Sequence, residues 1–266
     1  MQAAYFRFYA ELNDFLAPHR RFVTFAHPCD GRSTVKDMIE SLGVPHTEVD
    51  LILVNGESAD FSRRVQGGDR VSVYPVFESI DISPVARVRP APLRQTRFVL
   101  DMHLGRLAAY LRMLGFDTVY QNHWRDEDLA RISRDEHRIL LTRDVGLLKR
   151  SAVTHGHWMR ETRPHLQLAE AVERFDLYGS IAGFTRCLRC NTPLDAVEKE
   201  SIIARLDERT RNLHSEFFTC RTCGRIYWKG SHYERMQRLI AEATSRAGRT
   251  CPAPTVSAAR TPRMRL

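Results

Sequence analysis

Two Cys-x-x-Cys pairs, Cys187 with Cys190 and Cys220 with Cys223, constrain this chain more than any other feature. Two thiols at that spacing can turn both sulfurs toward one ion. Two such pairs supply four thiolates, which complete a tetrahedral zinc site and leave no position for water. The C-terminal part is therefore expected to fold around a metal, with zinc in a structural role; a redox dithiol or free thiols are the alternatives. Gly224 after Cys223 and Asn191 after Cys190 allow the tight backbone turns that aim amides at sulfur. The two remaining cysteines, Cys29 and Cys251, have no paired spacing and read as ordinary thiols.

The 266 residues are 43% hydrophobic and 27% charged, values of a soluble globular protein, and the length suggests two domains with a small third. No apolar run approaches the ~20 residues needed to span a bilayer, so no membrane association is expected. The opening MQAAYFRFYAELNDF has no basic segment followed by an apolar core, which makes a cytoplasmic location the expectation. The net charge of +8 is uneven. Residues 1–83 carry 8 basic and 12 acidic side chains, whereas residues 181–266 carry 16 and 8. A basic excess confined to the later part of the chain attracts polyanions, nucleic acid first.

Residues 1–83 read in the order β-β-α-β-β of a β-grasp fold. AAYFRFYAEL alternates as a strand, and RRFVTFAH gives a second. Ser33 and Thr34 can cap a helix through VKDMIES that Gly43 ends. VDLILVNGE stops at the Asn55-Gly56 turn, and GGDRVSVYPVF is the last strand. The phrases DLILVNGES and GDRVSVYPV resemble the ubiquitin-like sulfur carriers. Such carriers end in Gly-Gly, whereas this chain runs on through FESIDISP, so a binding or positioning role is expected, with a protein partner as one candidate.

Residues 84–96, with Pro84, Pro90, Pro92 and three arginines, read as an extended linker. Residues 97–180 alternate strand and helix, which implies a parallel sheet with helices on its faces. RFVLD and RILLTRD are short apolar strands that end in acids, Asp101 and Asp144. Asp126, Glu127 and Asp128 open the helix after a further strand, FDTVYQ. Ligands of open parallel sheets bind at the carboxyl ends of the strands. Carboxylates gathered there need a cation, and oxygen ligands suit Mg²⁺ or Mn²⁺. Each acid also has a local reading as a helix cap. Arg106, Arg143, Lys149 and Arg150 are expected near the same edge, as phosphate contacts or as a solvated basic face.

Residues 181–243 are expected to form a zinc ribbon with a following helix, and IIARLDERTRNLHSEF between the cysteine pairs suggests another helix. GRIYWKGSHYERM mixes Trp228 and other aromatics with Lys229 and arginines, a composition suited to stacking bases and holding phosphates, although Trp228 could equally pack on the zinc core. Residues 244–266, with five arginines and no acid, read as a basic disordered tail.

VLDMHLGRLAAYLRMLGFDT, DEDLARIS and RILLTRDVGLLKR, followed by GRIYWKGSHYERM, resemble in order the Mut-seven C-terminal RNase family, a PIN-like RNase domain with a zinc ribbon. The resemblance implies an α/β fold and metal-dependent hydrolysis of RNA. It carries Asp101, Asp126 and Asp144 over as Mg²⁺ or Mn²⁺ ligands, with Asp128 as a further acid; sites of this kind usually have another acid late in the domain, where Glu161 and Asp176 are available but lie in no matching motif. It leaves room for a homodimer. Two other functions fit the same residues: an RNA- or ribosome-binding protein that keeps the fold without catalysis, and a protein-interaction adaptor working through the β-grasp domain.

Overall fold

The computed structural model of the chain describes residues 2–75, 87–88, 96–230, 233–234, 237–238 and 241. Apart from residues 87, 88 and 96, the expected linker lies outside them, and so does the expected basic tail. The chain divides into two compact units: residues 1–108 with 117–164, and residues 109–116 with 165–266.

The first unit opens with a five-stranded mixed sheet. Its strands are β1 (Gln2–Phe8), β2 (Phe25–Cys29), β3 (Val49–Val54), β4 (Glu57–Ser58) and β5 (Arg70–Pro75), in spatial order β2-β1-β5-β3-β4. β1 runs parallel to β5 and antiparallel to β2, which is the β-grasp arrangement. Helix α1 (Val35–Ser41) begins at Thr34, which accepts the Asp37 amide while the Asp37 carboxylate takes the Thr34 amide, a reciprocal capping box. Phe6, Phe8, Ile39, Ile52 and Val73 form its core. Each removes enough apolar surface from water to contribute about 2 kcal/mol. The second strand starts later than the sequence suggests. Pro18–Arg20 form a 3-10 turn, and Phe22 has φ 58°, a left-handed conformation that no strand tolerates.

The same unit continues into a four-stranded, wholly parallel sheet. It comprises β6 (Arg97–Leu100), β7 (Asp117–Tyr120), β8 (Ile139–Thr142) and β9 (Gly156–Trp158), in order β7-β6-β8-β9. Helix α2 (Gly105–Met113) follows β6, α3 (Asp126–Asp135) follows β7, and the single turn α4 (Val145–Leu148) follows β8. Val99, Leu129, Leu140, Leu147, Leu148 and Val153 make one apolar cluster. Parallel register brings the carboxyl ends of all four strands to one edge. Arg138 enters β8 with its side chain buried and its guanidinium bonded to Asp117 and Glu136, both at 2.7 Å.

The second unit holds helix α5 (Pro164–Arg174), with Leu168, Ala171 and Val172 buried. It also holds a three-stranded antiparallel sheet of β10 (Asp195–Val197), β11 (Phe217–Thr219) and β12 (Ile226–Trp228). Between β10 and β11 the chain forms two short helices, α6 (Lys199–Ile202) and α7 (Glu208–Leu213), where one was expected. Asp207 causes the break: its carboxylate accepts the Thr210 amide at 2.8 Å and starts a new helix. Ile202, Leu206 and Phe217 form the small core, with Trp228 packed against it.

Candidate active site and metal centre

β6 ends at Asp101, which is 8% exposed. One carboxylate oxygen accepts the Met102 amide at 2.5 Å, and the other accepts the Thr142 hydroxyl at 2.9 Å. The Thr142 hydroxyl also accepts the Asp144 amide at 2.9 Å. One fully buried hydroxyl thus links the acids that follow two neighbouring strands. Asp144 caps α4, taking the amides of Gly146 at 2.7 Å and Leu147 at 3.4 Å. Those bonds occupy one oxygen and leave the exposed side of the carboxylate toward solvent. Gly105, where α2 begins, packs against the end of the Tyr120 side chain. A Cβ there would stand 2.7 Å from the Tyr120 hydroxyl, which itself donates to the Met102 carbonyl at 2.9 Å.

Asp126 is the first residue of α3 and pairs with Arg150 at 3.6 Å. Glu127 shares the same guanidinium at 3.0 Å, and this contact, after its own backbone amide, holds the Glu127 carboxyl below its ordinary range. Asp128 accepts the Arg125 amide at 3.3 Å and lies 3.7 Å from Arg131, so its carboxylate serves the start of α3. Glu161 gives its backbone carbonyl to Arg143. Asp176 sits in a left-handed conformation, φ 43°, before a 3-10 turn.

The basic residues have defined partners. Arg143 donates to the carbonyls of Arg160 at 3.2 Å and Glu161 at 2.7 Å. Lys149 donates to the Glu40 carbonyl at 2.7 Å, and Arg150 spans Asp126 and Glu127. Arg106 is exposed on the first turn of α2. In the ribbon, Lys229 pairs with Glu216 at 2.8 Å, and Trp228 is half-buried against Phe217.

The four cysteines form the second site. The ligand sulfurs all lie within 4.8 Å of one another, with Cys190 to Cys220 at 3.3 Å and Cys187 to Cys223 at 3.6 Å. A tetrahedron with Zn–S bonds of about 2.3 Å has sulfurs roughly 3.8 Å apart, so the donor set fits zinc. Both pairs sit on matching loops. The Asn191 amide returns to the Cys187 carbonyl at 3.0 Å and the Gly224 amide to the Cys220 carbonyl at 2.8 Å. Asn191 and Gly224 both have φ 69°. Burial opposes ionisation of Cys190, but the Thr192 hydroxyl and amide outweigh it and draw the thiol down to about 6. The Arg225 amide favours the Cys223 thiolate, yet burial and the neighbouring thiols push it up to about 11. Four adjacent thiolates repel unless a cation sits among them.

Three groups within the quoted motifs have supporting roles that the sequence does not mark. Thr142 reads simply as a β-former. Tyr227 gives its hydroxyl to Cys187 at 3.1 Å and accepts the Leu188 amide at 3.2 Å. Arg112 is 5% exposed and holds the carbonyls of Leu188 at 3.1 Å and Arg189 at 2.8 Å, inside the first cysteine loop. Among the described residues, the cysteines are the one group of three or more His, Cys, Asp or Glu side chains close enough to share an ion. Asp101, Asp126 and Asp144 do not make such a group as their side chains stand. No described helix is long and apolar enough to cross a membrane.

Comparison with known proteins supplies the context. Two solved structures, the H. volcanii small archaeal modifier protein 1 and SAMP1 from Haloferax volcanii, are similar at 21% and 20% identity. Each match covers 29% of this chain and 100% or 99% of the other, with a TM-score of 0.24. No curated protein matches the chain. The family described as the Mut7-C ubiquitin matches residues 1–81, and the one described as the Mut7-C RNAse domain matches residues 96–240. That second match spans more than half of the sequence: the chain belongs to the Mut7-C RNAse domain family.

Proposed function

We infer that this protein is a metal-dependent ribonuclease whose active edge is built on Asp101 and Asp144. The observation that carries the reading is the buried Thr142 hydroxyl, which ties both acids to one edge of a parallel sheet in a chain of an RNase family. Mg²⁺ and Mn²⁺ keep several waters and take one or two carboxylates, so a pair of strand-end acids is a sufficient anchor. Asp126 is assigned as a third ligand, for which it would leave its ion pair with Arg150, and Asp128 as a further acid. A divalent ion held by Asp101 and Asp144 would lower the pKa of an attacking water and offset charge on the leaving oxygen. Thr142 holds Asp101 in place, and the α4 amides of Gly146 and Leu147 hold the Asp144 carboxylate. The water oxygen bonds to phosphorus and gives up one proton to solvent, one P–O ester bond breaks, and the departing oxygen takes a proton from solvent. Arg106 and Lys229 of the ribbon are assigned to RNA, and Trp228 to the core that supports the ribbon. Zinc on Cys187, Cys190, Cys220 and Cys223 holds the ribbon together.

The test is cleavage of single-stranded and structured RNA by wild type, Asp101→Asn and Asp144→Asn, with Mn²⁺, with Mg²⁺ and with EDTA. Cleavage that needs metal and both aspartates is expected. Equal activity in all three proteins would sink the assignment. A second reading, RNA binding without catalysis, is favoured by the ion pair that occupies Asp126 and Glu127. Salt-sensitive RNA binding, unchanged in Asp101→Asn and without cleavage in wild type, is its signature.

A further inference from the structure

The β-grasp segment reaches the acid edge through a continuous chain of hydrogen bonds. Glu48 ends the 3-10 turn His46–Glu48 just before β3 and is fully buried. A carboxylate placed there without partners would cost several kcal/mol, so its contacts define its role. One of its oxygens accepts the Trp158 backbone amide at 2.6 Å, and the carboxylate meets His157 Nδ1 at 3.2 Å. Both partners belong to β9, about 110 residues further along the chain. The Trp158 indole then donates to the Arg143 carbonyl at 3.2 Å. Arg143 is the residue between Thr142, the bridge, and Asp144.

Further contacts fix the same strand. Arg160 donates to the Asp14 carboxylate at 2.9 Å and to the Glu11 carbonyl at 3.3 Å. Its guanidinium lies over the rings of Phe15 and Trp158, which meet each other at 5.1 Å. On the other side of Asp144, Lys149 reaches the Glu40 carbonyl, and His46 Nε2 donates to the Val153 carbonyl at 2.8 Å. The peptide before Asp144 is held by Trp158, whose own backbone amide is bound by Glu48, and the end of the helix after it is held by the Glu40 carbonyl.

We propose that Glu48 and Trp158 are positioning residues for the acid edge, with the β-grasp domain acting in cis through Glu48, Trp158 and the Arg143 carbonyl to set the Asp144 carboxylate. The proposal rests on Asp101 and Asp144 being the catalytic acids. A domain that served only to dock a partner would need no bond to the strand beside the site. The orientation of a metal-binding carboxylate depends on its own peptide, and tolerances near 1 Å matter to rate. Trp158 touches neither metal nor substrate in this account; it acts through the backbone of Arg143.

The full-length protein tests this. Trp158→Phe keeps a ring against Phe15 and Arg160 and removes the indole donor. Glu48→Ala removes the acceptor for the Trp158 amide, whereas Glu48→Gln retains an oxygen for it. Steady-state cleavage of one RNA with Mn²⁺ is read as kcat and KM separately, alongside thermal unfolding. The expected result is a kcat about tenfold lower in Trp158→Phe with KM unchanged and the fold intact, as for loss of one orienting hydrogen bond. Glu48→Gln recovers most of the activity that Glu48→Ala loses. Folded variants with wild-type kcat, or a loss confined to KM, would overturn the positioning role while Asp144-dependent cleavage by wild type stands. A wild type that cleaves nothing overturns the nuclease reading, and the role of Glu48 and Trp158 with it.

Discussion

The Thr142 hydroxyl donates to Asp101 at 2.9 Å, and the same oxygen accepts the Asp144 amide. One buried atom therefore sets two acids that stand 43 positions apart in sequence. Removing it strips a hydrogen bond from a charged group and leaves an amide without its partner. Bonds of that kind are worth about 1.5–3 kcal/mol. Thr142→Val, which keeps the β-branched shape, is expected to lower Tm by several degrees and kcat by about tenfold or more. Thr142→Ser should recover most of the rate. Calorimetry and cleavage assays on the same preparations check both, and a fully active Thr142→Val would remove the bridge from the mechanism.

The cysteine site makes a second prediction. Freshly purified protein should carry one zinc per chain, and less than a tenth of an equivalent by metal analysis would reject it. Zinc is held by thiolates, so protons compete with it and affinity falls with pH. Despite the Arg225 amide, burial and the neighbouring thiols raise Cys223 in the metal-free site, so zinc binding there must displace a proton. Acidification below neutrality should thus release zinc to a chromogenic chelator, while raising the pH should not. Loss of metal should change Trp228 fluorescence, because that ring packs on the ribbon core.

How much of this was legible in the sequence depends on how local each signal is. The cysteine loops are built within a few residues, so their spacing and the left-handed Asn191 and Gly224 could be read directly. Asp101 and Asp144 were legible as strand ends because the strand-helix alternation fixes which edge they share. Thr142 was not, since a threonine in a strand gives no sign that its hydroxyl is used. Glu48 and Trp158 are joined across about 110 residues, and no pattern along the chain marks that pairing. Lys149 looked like a phosphate contact by its place near the acid edge. The bond its amine makes to the Glu40 carbonyl had no sign in the sequence, because only the packed fold supplies that partner.

Arg138 offers a prediction about stability alone. Its side chain is 6% exposed, between Asp117 and Glu136. These contacts offset the burial that works against its charge and raise its pKa above the ordinary arginine value, so the cation persists at every working pH. Removing one member of a buried charge pair costs about 3–5 kcal/mol. Glu136 is partly solvated, which places Arg138→Met at the low end of that range. Urea unfolding should show a lower midpoint with an unchanged slope, and loss below about 1 kcal/mol would mean that solvent screens the pair.

Arg112 ties helix α2 to the first cysteine loop through the Leu188 and Arg189 carbonyls. Arg112→Leu retains much of the volume and loses both donors. Outer contacts of this kind typically change metal affinity by about 10–100-fold when removed. Zinc should therefore transfer to a competing chelator faster and at lower chelator concentration than from wild type. Transfer at the wild-type rate would assign Arg112 to packing of α2 only.

RNA contacts separate by what each residue already does in the fold. Arg106 is exposed at the start of α2, on the turn that follows Asp101, and a phosphate contact there would be electrostatic and insensitive to sequence. Arg106→Ala is expected to raise KM for RNA and to lower the slope of log affinity against log salt by about 1, with kcat and Tm unchanged. Trp228 is different, because its ring packs with Phe217 and the ribbon core. Trp228→Ala should weaken RNA binding only together with a loss of ribbon stability and faster zinc release. Binding isotherms at several salt concentrations, paired with the chelator assay, distinguish the two. A Trp228→Ala protein that keeps its zinc and stability yet loses RNA affinity would move that ring from the core to the binding surface.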